Sequence, residues 1–460
     1  MKQTRRQALK NASKAFGFTV LPSYLATGVR AAGDPQPPSK RINLGCIGVG
    51  GRASGVVPSL TRGGNAQPVA FCDVDFNARS TDKNLKANPD VKQFADFRIM
   101  LEQMGKDIDA VSVVVPDHSH FCAAMLAMSM GKHVYVEKPL THSFQEAELL
   151  MQAEKKFKVV TQMGNQGHTG TASAQFKEWV KRGIIKDVKT VDAWKGSGLF
   201  FMDPKQRFST YPAEEPKPET LDWDLWCGPA EVHPFSKLYH PFSWRGFHAY
   251  GSGMLGDWGA HIMDFVHDYL NLGLPTRINA QRIDDHNKVI FPLTSHIQFQ
   301  FPERGPGMPA LTMNWRDGAD IHPEVPEQFW DQGKAPKLGG AGTLFQPEGA
   351  DYMVLRGSHG GSSRLLPYEK SSELDAKVDS VKVDHGESFI QACMGNGNTW
   401  SPFSVSAKLT QVLTLGCIAQ YLNADLAFDP KTKTITNNKE GNARLAIPPR
   451  KGWEDFYKMV

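Results

Sequence analysis

"RINLGCIGVGGRASG", residues 41–55, runs from an apolar strand straight into glycines. Gly48, Gly50 and Ala53 fit the spacing G-x-G-x-x-A, with Gly51 and Gly55 adding slack and Arg52 between them. The first glycine permits a tight turn and the second lets a phosphate approach the backbone. The third small residue lets the next helix pack close, so that its N-terminus faces a pyrophosphate. Context strengthens this reading. "QPVAFCDVD" is a second apolar strand, and Asp73 follows Ala53 by twenty residues. An acid there accepts hydrogen bonds from an adenosine ribose and disfavours the additional phosphate of NADP. NAD is therefore the expected dinucleotide, with Arg52 and Arg79 leaving NADP open.

Outward from this loop, apolar strands alternate with helical stretches. "DAVSVVVPDHSH" ends a strand at Pro116 and starts a helix near His120. "HVYVEKPL" is the next strand and "KVVTQMGNQ" the one after, with "FCAAMLAMSMG" and "SFQEAELLMQAEKKF" as helices between them. That rhythm predicts an α/β fold: a parallel sheet, wound on both faces, over residues 41–163. Ligands of such sheets lie beyond the carboxyl ends of the strands. Pro116, His120, Glu137, Lys138 and Asn165 are expected around that crevice with the glycine loop. A strand end bearing Glu137, Lys138 and Pro139 is otherwise ordinary only if it reaches solvent, because burying either charge unpaired is costly.

The second motif is "GSGMLGDWGAHIMDFVHDYL", a glycine-rich entry into a helix from about Met254. Asp257, His261, Asp264 and Asp268 are spaced i, i+4, i+7, i+11 and share one helical face. Three readings compete: a helix cap with a core histidine, a divalent-metal face, and a general base His261 whose orientation Asp257 fixes. No second carboxylate/histidine cluster of similar quality accompanies it, which argues against metal. An imidazole titrating near neutrality suits removal of a hydroxyl proton as hydride leaves the carbon.

Composition sets the remaining bounds. A chain of 460 residues exceeds one ordinary core, so two domains are expected, the second spanning 164–450. Two stretches in it, 197–243 and 317–350, are too long and Pro-rich for simple connections and read as a lid or a subunit arm. Residues 1–32 hold Lys2, Arg5, Arg6, Lys10, Lys14 and Arg30 with no acid; without them the formal +4 becomes −2. A slightly acidic body argues against nucleic acid, and no apolar run suggests membrane insertion. The twin arginines Arg5 and Arg6, the apolar "AFGFTVLPSYLATGV" and the small residues near Ala31 resemble a twin-arginine export signal, with Ala8 where Phe is common. Such export carries folded proteins to the periplasm with cofactor inside. The six cysteines show neither C-x-x-C spacing nor a disulfide framework.

Taken together, the glycine loop, Asp73, "DAVSVVVPDHSH", "EKPL", "GNQGH" and "GSGMLGDWGAH" resemble the Gfo/Idh/MocA oxidoreductase family. The resemblance implies a Rossmann domain followed by an α/β domain on a large, open, mostly antiparallel sheet that covers the substrate. It implies Lys138, Asp257 and His261 as a catalytic trio, a cis Lys138–Pro139 bond, and a homo-oligomer. Ser252 and Val115 depart from its usual Gly and Thr.

Aromatic faces beside hydroxyl-pairing groups suit sugar rings, so Lys195, Trp244, Arg245, His248 and Tyr250 are candidate substrate contacts, together with His168 and Asp264. The expected function is an exported sugar or glycoside dehydrogenase with a tightly held nicotinamide cofactor, since free NAD is not expected outside the cytoplasm. Two alternatives remain: redox-neutral glycoside cleavage by oxidation, elimination, water addition and reduction, and a non-catalytic glycan-binding protein.

Overall fold

The computed structural model describes residues 40–196, 209–374 and 378–460. The export-signal reading of residues 1–32 and the beginning of the 197–243 stretch lie outside them. Strands β1 (Ile42–Ile47), β2 (Ala66–Cys72), β3 (Lys92–Phe94), β4 (Ala110–Val113), β5 (His133–Val136) and β6 (Thr161–Met163) form one sheet in the order β3-β2-β1-β4-β5-β6. All its pairings are parallel. Every residue of β4 is buried, which is why its sequence reads as an unbroken apolar run rather than an alternation. The order reverses between β1 and β4, so a crevice opens beyond their carboxyl ends.

The helices of this layer are locally well specified. Helix Phe144–Phe157 starts on a reciprocal cap: the Ser143 hydroxyl accepts from the Glu146 amide while the Glu146 carboxylate accepts from the Ser143 amide. It stops where Lys158 turns left-handed, with φ of 54°.

A second, nine-stranded sheet adds β7 (Thr190–Gly196), β8 (Arg277–Asp284), β9 (Thr294–Phe301), β10 (Leu311–Gly318), β11 (Ala341–Phe345), β12 (Met353–Gly357), β13 (Ser363–Leu366), β14 (Leu426–Asp429) and β15 (Thr434–Ile435). Its order is β13-β12-β11-β7-β10-β9-β8-β14-β15, antiparallel throughout except for the β7/β10 pair. On β9, Ile297, Phe299 and Phe301 enter the core. Between them Gln298 joins a polar chain on the opposite face, from Asn279 through Asn314 to Asp192. The chain is therefore α/β with a parallel sheet followed by a mostly antiparallel one.

Helix Phe403–Leu422 lies between the layers, touching both Phe144–Phe157 and Gly253–Ile262. That approach is close enough for an added Cβ on Gly259 to fall 2.5 Å from Leu413 Cδ2.

Two expectations need correcting. The 317–350 stretch is not wholly an arm, since Ala341–Phe345 is a sheet strand beside β7. The helix expected from Met254 begins at Gly253 and breaks after Ile262, with a separate short helix Asp264–Tyr269. The aspartate face therefore does not continue along one axis. Described residues 209–243 pack with 244–250 into an aromatic cluster, Trp223 stacking on Trp226 at 4.5 Å under Tyr239 and Tyr250.

Candidate active site

A cleft of about 520 Å³ opens at the β1/β4 reversal. At one end Gly48, Gly50, Gly51, Arg52 and Asp73 line it; at the other stand Lys138, Trp244, Arg245 and Asp257. Gly48 has φ of +79°, and a Cβ there would fall 2.2 Å from the Val114 carbonyl oxygen, so this turn admits only glycine. A Cβ on Gly51, by contrast, meets nothing within 4 Å. The open space faces the cleft just ahead of helix Ala53–Thr61, whose positive N-terminal end suits a pyrophosphate. Ala53 itself is buried behind the loop. On the observed shape and donors, the cradle fits a dinucleotide.

Asp73 closes that end. Its carboxylate accepts from the amides of Val49 (2.9 Å) and Asp75 (3.2 Å), fixing the glycine loop to the β2 tip. Burial raises its pKa, and the amides of Val49, Asp75 and Gly50 oppose the rise. Arg52 is directed elsewhere: its Nε meets Glu137 Oε1 at 3.1 Å. Glu137 is buried, and burial raises its pKa against the pull of Arg52 and Lys138. Pro116 lines the cleft. His120 does not; its ring spans the carbonyls of Pro139 and Val115, both at 2.8 Å, and ties the β4 and β5 tips together.

At the opposite end the Lys138–Pro139 bond is cis, and Lys138 Nζ meets Asp257 Oδ1 at 2.6 Å. Arg245 Nε lies 3.7 Å from the same oxygen. Its guanidinium rests on Trp244 and Phe242, 4.2 and 4.8 Å from their ring centres. Asp257 therefore serves two cations, and the expectation that it orients His261 is not met. His261 is buried with Nδ1 unpartnered, and its ring lies 3.9 Å from that of His359. Burial, then the Lys138 charge and His359, hold its pKa well below the ordinary imidazole value. Lys195 reaches the same flank, its ammonium 4.4 Å from the Trp258 ring centre, with Trp258 edge-on to His359.

Five expected substrate contacts, Lys195, His168, Asp264, His248 and Tyr250, lie away from the cleft lining, as do the expected cofactor contact Asn165, alongside Ala53 and His120, and the expected base His261. Asn165 Nδ2 and His168 Nδ1 both meet Asp264, at 2.9 Å each, and His168 Nε2 lies 3.4 Å from Asp268. All but Asp268 are fully buried. Burial alone would lower the His168 pKa, yet Asp264 and Asp268 raise it to about 9. The network is a charged clasp under the "GNQGH" turn, because the helix break at Met263 swings Asp264 toward it. Tyr250 belongs to the aromatic cluster, its hydroxyl donating to the Glu231 carbonyl. His248 packs on Phe291 at 3.9 Å and faces a separate cavity with Tyr421 and Arg444. Among the described residues no group of three or more His, Cys, Asp or Glu side chains is placed to hold a metal ion, and no helix is long and apolar enough to cross a membrane.

Sequence reasoning missed Asp117, His240, Phe242 and Trp453 in the cleft wall. Asp117 sat inside the quoted "DAVSVVVPDHSH" and could have been flagged as a carboxylate at a strand tip. Trp453 carries no local signal.

Residues 42–165 match the oxidoreductase family's NAD-binding Rossmann fold, and residues 170–302 its C-terminal alpha/beta domain, both of the Gfo/Idh/MocA type. The chain belongs to the Gfo/Idh/MocA oxidoreductase family. A glycosyl hydrolase family 109 protein of Solibacter usitatus is 30% identical over 172 residues, 36% of this chain and 39% of that protein. Levoglucosan dehydrogenase of Pseudarthrobacter phenanthrenivorans is 24% identical over 234 residues, 49% of this chain and 50% of that one. The alignments thus span half or less of these relatives. Among solved structures, the WlbA dehydrogenase of Chromobacterium violaceum, in complex with NADH and UDP-GlcNAcA, has a TM-score of 0.58 at 13% identity, covering 86% of this chain and 98% of that one. At that identity the likeness concerns the fold.

Proposed function

We propose that this chain is an exported oxidoreductase that moves a hydride between a tightly held NAD and a hydroxyl-bearing carbon of a sugar or glycoside. The observation that carries the reading is one cleft with Asp73 and the glycine loop at one end and the Lys138–Asp257 pair at the other. Bound there, the nicotinamide would supply hydride exchange. Asp73, with no arginine paired to it among the described residues, favours a free ribose over a phosphorylated one. At the far end the Lys138 ammonium sits where it can hold the substrate oxygen, and such a donor is typically worth roughly 3–4 kcal/mol in the transition state. His261 is neutral over the working pH range and a weak base. Buried behind the cleft lining, it is not the proton acceptor; the hydroxyl proton leaves through Lys138 to Asp257. The Trp244/Arg245 face suits a sugar ring, which offers C–H surface and hydroxyls together. The twin-arginine start supports export, and cargo carried folded can bring its cofactor.

The levoglucosan dehydrogenase and glycosyl hydrolase family 109 relatives support carbohydrate as the substrate class. The latter also keeps redox-neutral glycoside cleavage as a second reading. Purified protein offered a panel of sugars and glycosides, with reduced-nicotinamide absorbance and product sugars followed together, separates them. Net reduction without bond cleavage supports the dehydrogenase, cleavage without net redox change the hydrolase, and neither refutes both.

A further inference from the structure

Asp117 lies in the turn after β4, on the wall of the cleft, and only 2% of its surface is exposed. Its Oδ2 is buried and meets no hydrogen-bond donor. A carboxylate in that condition is costly to keep ionised, and neither helix capping nor a turn of its own employs the atom. The charged and titratable groups around it come from four elements: Asp257 from helix Gly253–Ile262, Arg245 from the turn before it, Lys138 from the β5 tip, and Cys417 from helix Phe403–Leu422. Three of these are the groups at the reactive end of the cleft.

We propose that Asp117 is the proton reservoir of the site, a positioning residue that takes up, through Asp257 and Lys138, the proton released by the substrate hydroxyl. The inference rests on the hydride-transfer reading above. In balance, one ammonium N–H bond of Lys138 breaks toward Asp257, and the freed nitrogen lone pair takes the proton of the substrate hydroxyl as its O–H bond breaks. Lys138 thus gives one of its ammonium protons to Asp257 at 2.6 Å, and the proton crosses the cleft that Asp257 and Asp117 both line to reach the Asp117 carboxylate. Lys138 and Asp257 end as they began. The C–H electron pair leaves separately as hydride to the oxidised dinucleotide, and in the reverse direction Asp117 returns the proton. Burial raises the Asp117 pKa first and the Asp257 charge second, against Arg245, Lys138 and the Ser252 hydroxyl, to about 7. Asp117 thus accepts a proton readily and releases it near neutrality.

The test uses Asp117→Asn, with Asp117→Ser should the first not fold. A raised folded pKa means that the folded protein binds this proton more tightly than the unfolded chain, so stability falls as pH climbs from about 4 through about 7 and levels off above. In the cofactor-free protein, unfolding midpoints across this range should show that decline in the wild type and a flatter profile in the variant. With the oxidised dinucleotide and a sugar substrate, turnover should fall about tenfold or more and lose its limb near neutral pH, with cofactor affinity changed less than twofold. Unaltered pH profiles of both stability and turnover would overturn the proposal. So would a variant that loses stability and cofactor affinity equally at every pH, because that marks a structural role. A wild type that oxidises no sugar refutes the underlying reading, and that result is distinct from an active wild type with an indifferent variant.

Discussion

Replacing Asp264 with asparagine should expose what the buried His168 clasp contributes. His168 is 1% exposed, with Asp264 at 2.9 Å on one ring nitrogen and Asp268 at 3.4 Å on the other. The two carboxylates raise its pKa from 6.5 to about 9 against the effect of burial, and that gap corresponds to roughly 3 kcal/mol. The sign follows from the raised value: the stabilisation is fully present below the unfolded pKa and is lost as pH rises through the folded one. Denaturant unfolding of wild type at about pH 6 and about pH 9.5 should therefore show a decline of that order attributable to His168. Asp264→Asn should destabilise the protein by about 3–5 kcal/mol at the lower pH, since a buried imidazolium loses its main partner. It should also flatten the decline, while dinucleotide affinity stays close to wild type because Asp264 is outside the cleft lining. Parallel pH profiles for the two proteins, or lost dinucleotide affinity without lost stability, would refute the reasoning.

Lys138→Ala should retain dinucleotide binding and lose turnover by about 10²–10³-fold, as expected for one transition-state donor and measured by steady-state kinetics beside a binding titration. Gly48→Ala forces a Cβ to 2.2 Å from the Val114 carbonyl, so its melting temperature should fall and dinucleotide affinity with it; an unchanged pair of values would contradict the assigned turn. Asp73→Ala removes the acceptor of the Val49 and Asp75 amides. It should loosen the glycine loop and weaken NAD binding about tenfold, of the order of one charge-assisted hydrogen bond, by isothermal titration.

The dinucleotide end was legible because its signals are local. A parallel strand buried on both faces writes itself as an apolar run, and Gly48 is demanded by its own backbone angle. Lys138 and Asp257 were also recognisable, the first just past a strand end and the second inside a glycine-rich helix. The partnership of Asp257 was not, because helical spacing placed His261 nearest in sequence while Lys138 and Arg245 arrive from remote segments. The same holds for Asp264: an i+7 spacing presumes an unbroken helix, whereas the helix breaks at Met263 and Asp264 pairs with the remote Asn165 and His168. Asp117 reads as an ordinary turn aspartate until Arg245, Lys138 and Asp257 gather around it. The 341–345 strand was hidden by the Pro- and Gly-rich residues before it.

The most direct test is a diffraction structure of the protein soaked or purified with NAD. The account predicts the adenosine ribose at Asp73, the pyrophosphate over Gly50 and Gly51, and the nicotinamide ring in contact with Lys138. A dinucleotide bound outside this cleft, or lying with its nicotinamide at Asp73, would contradict it.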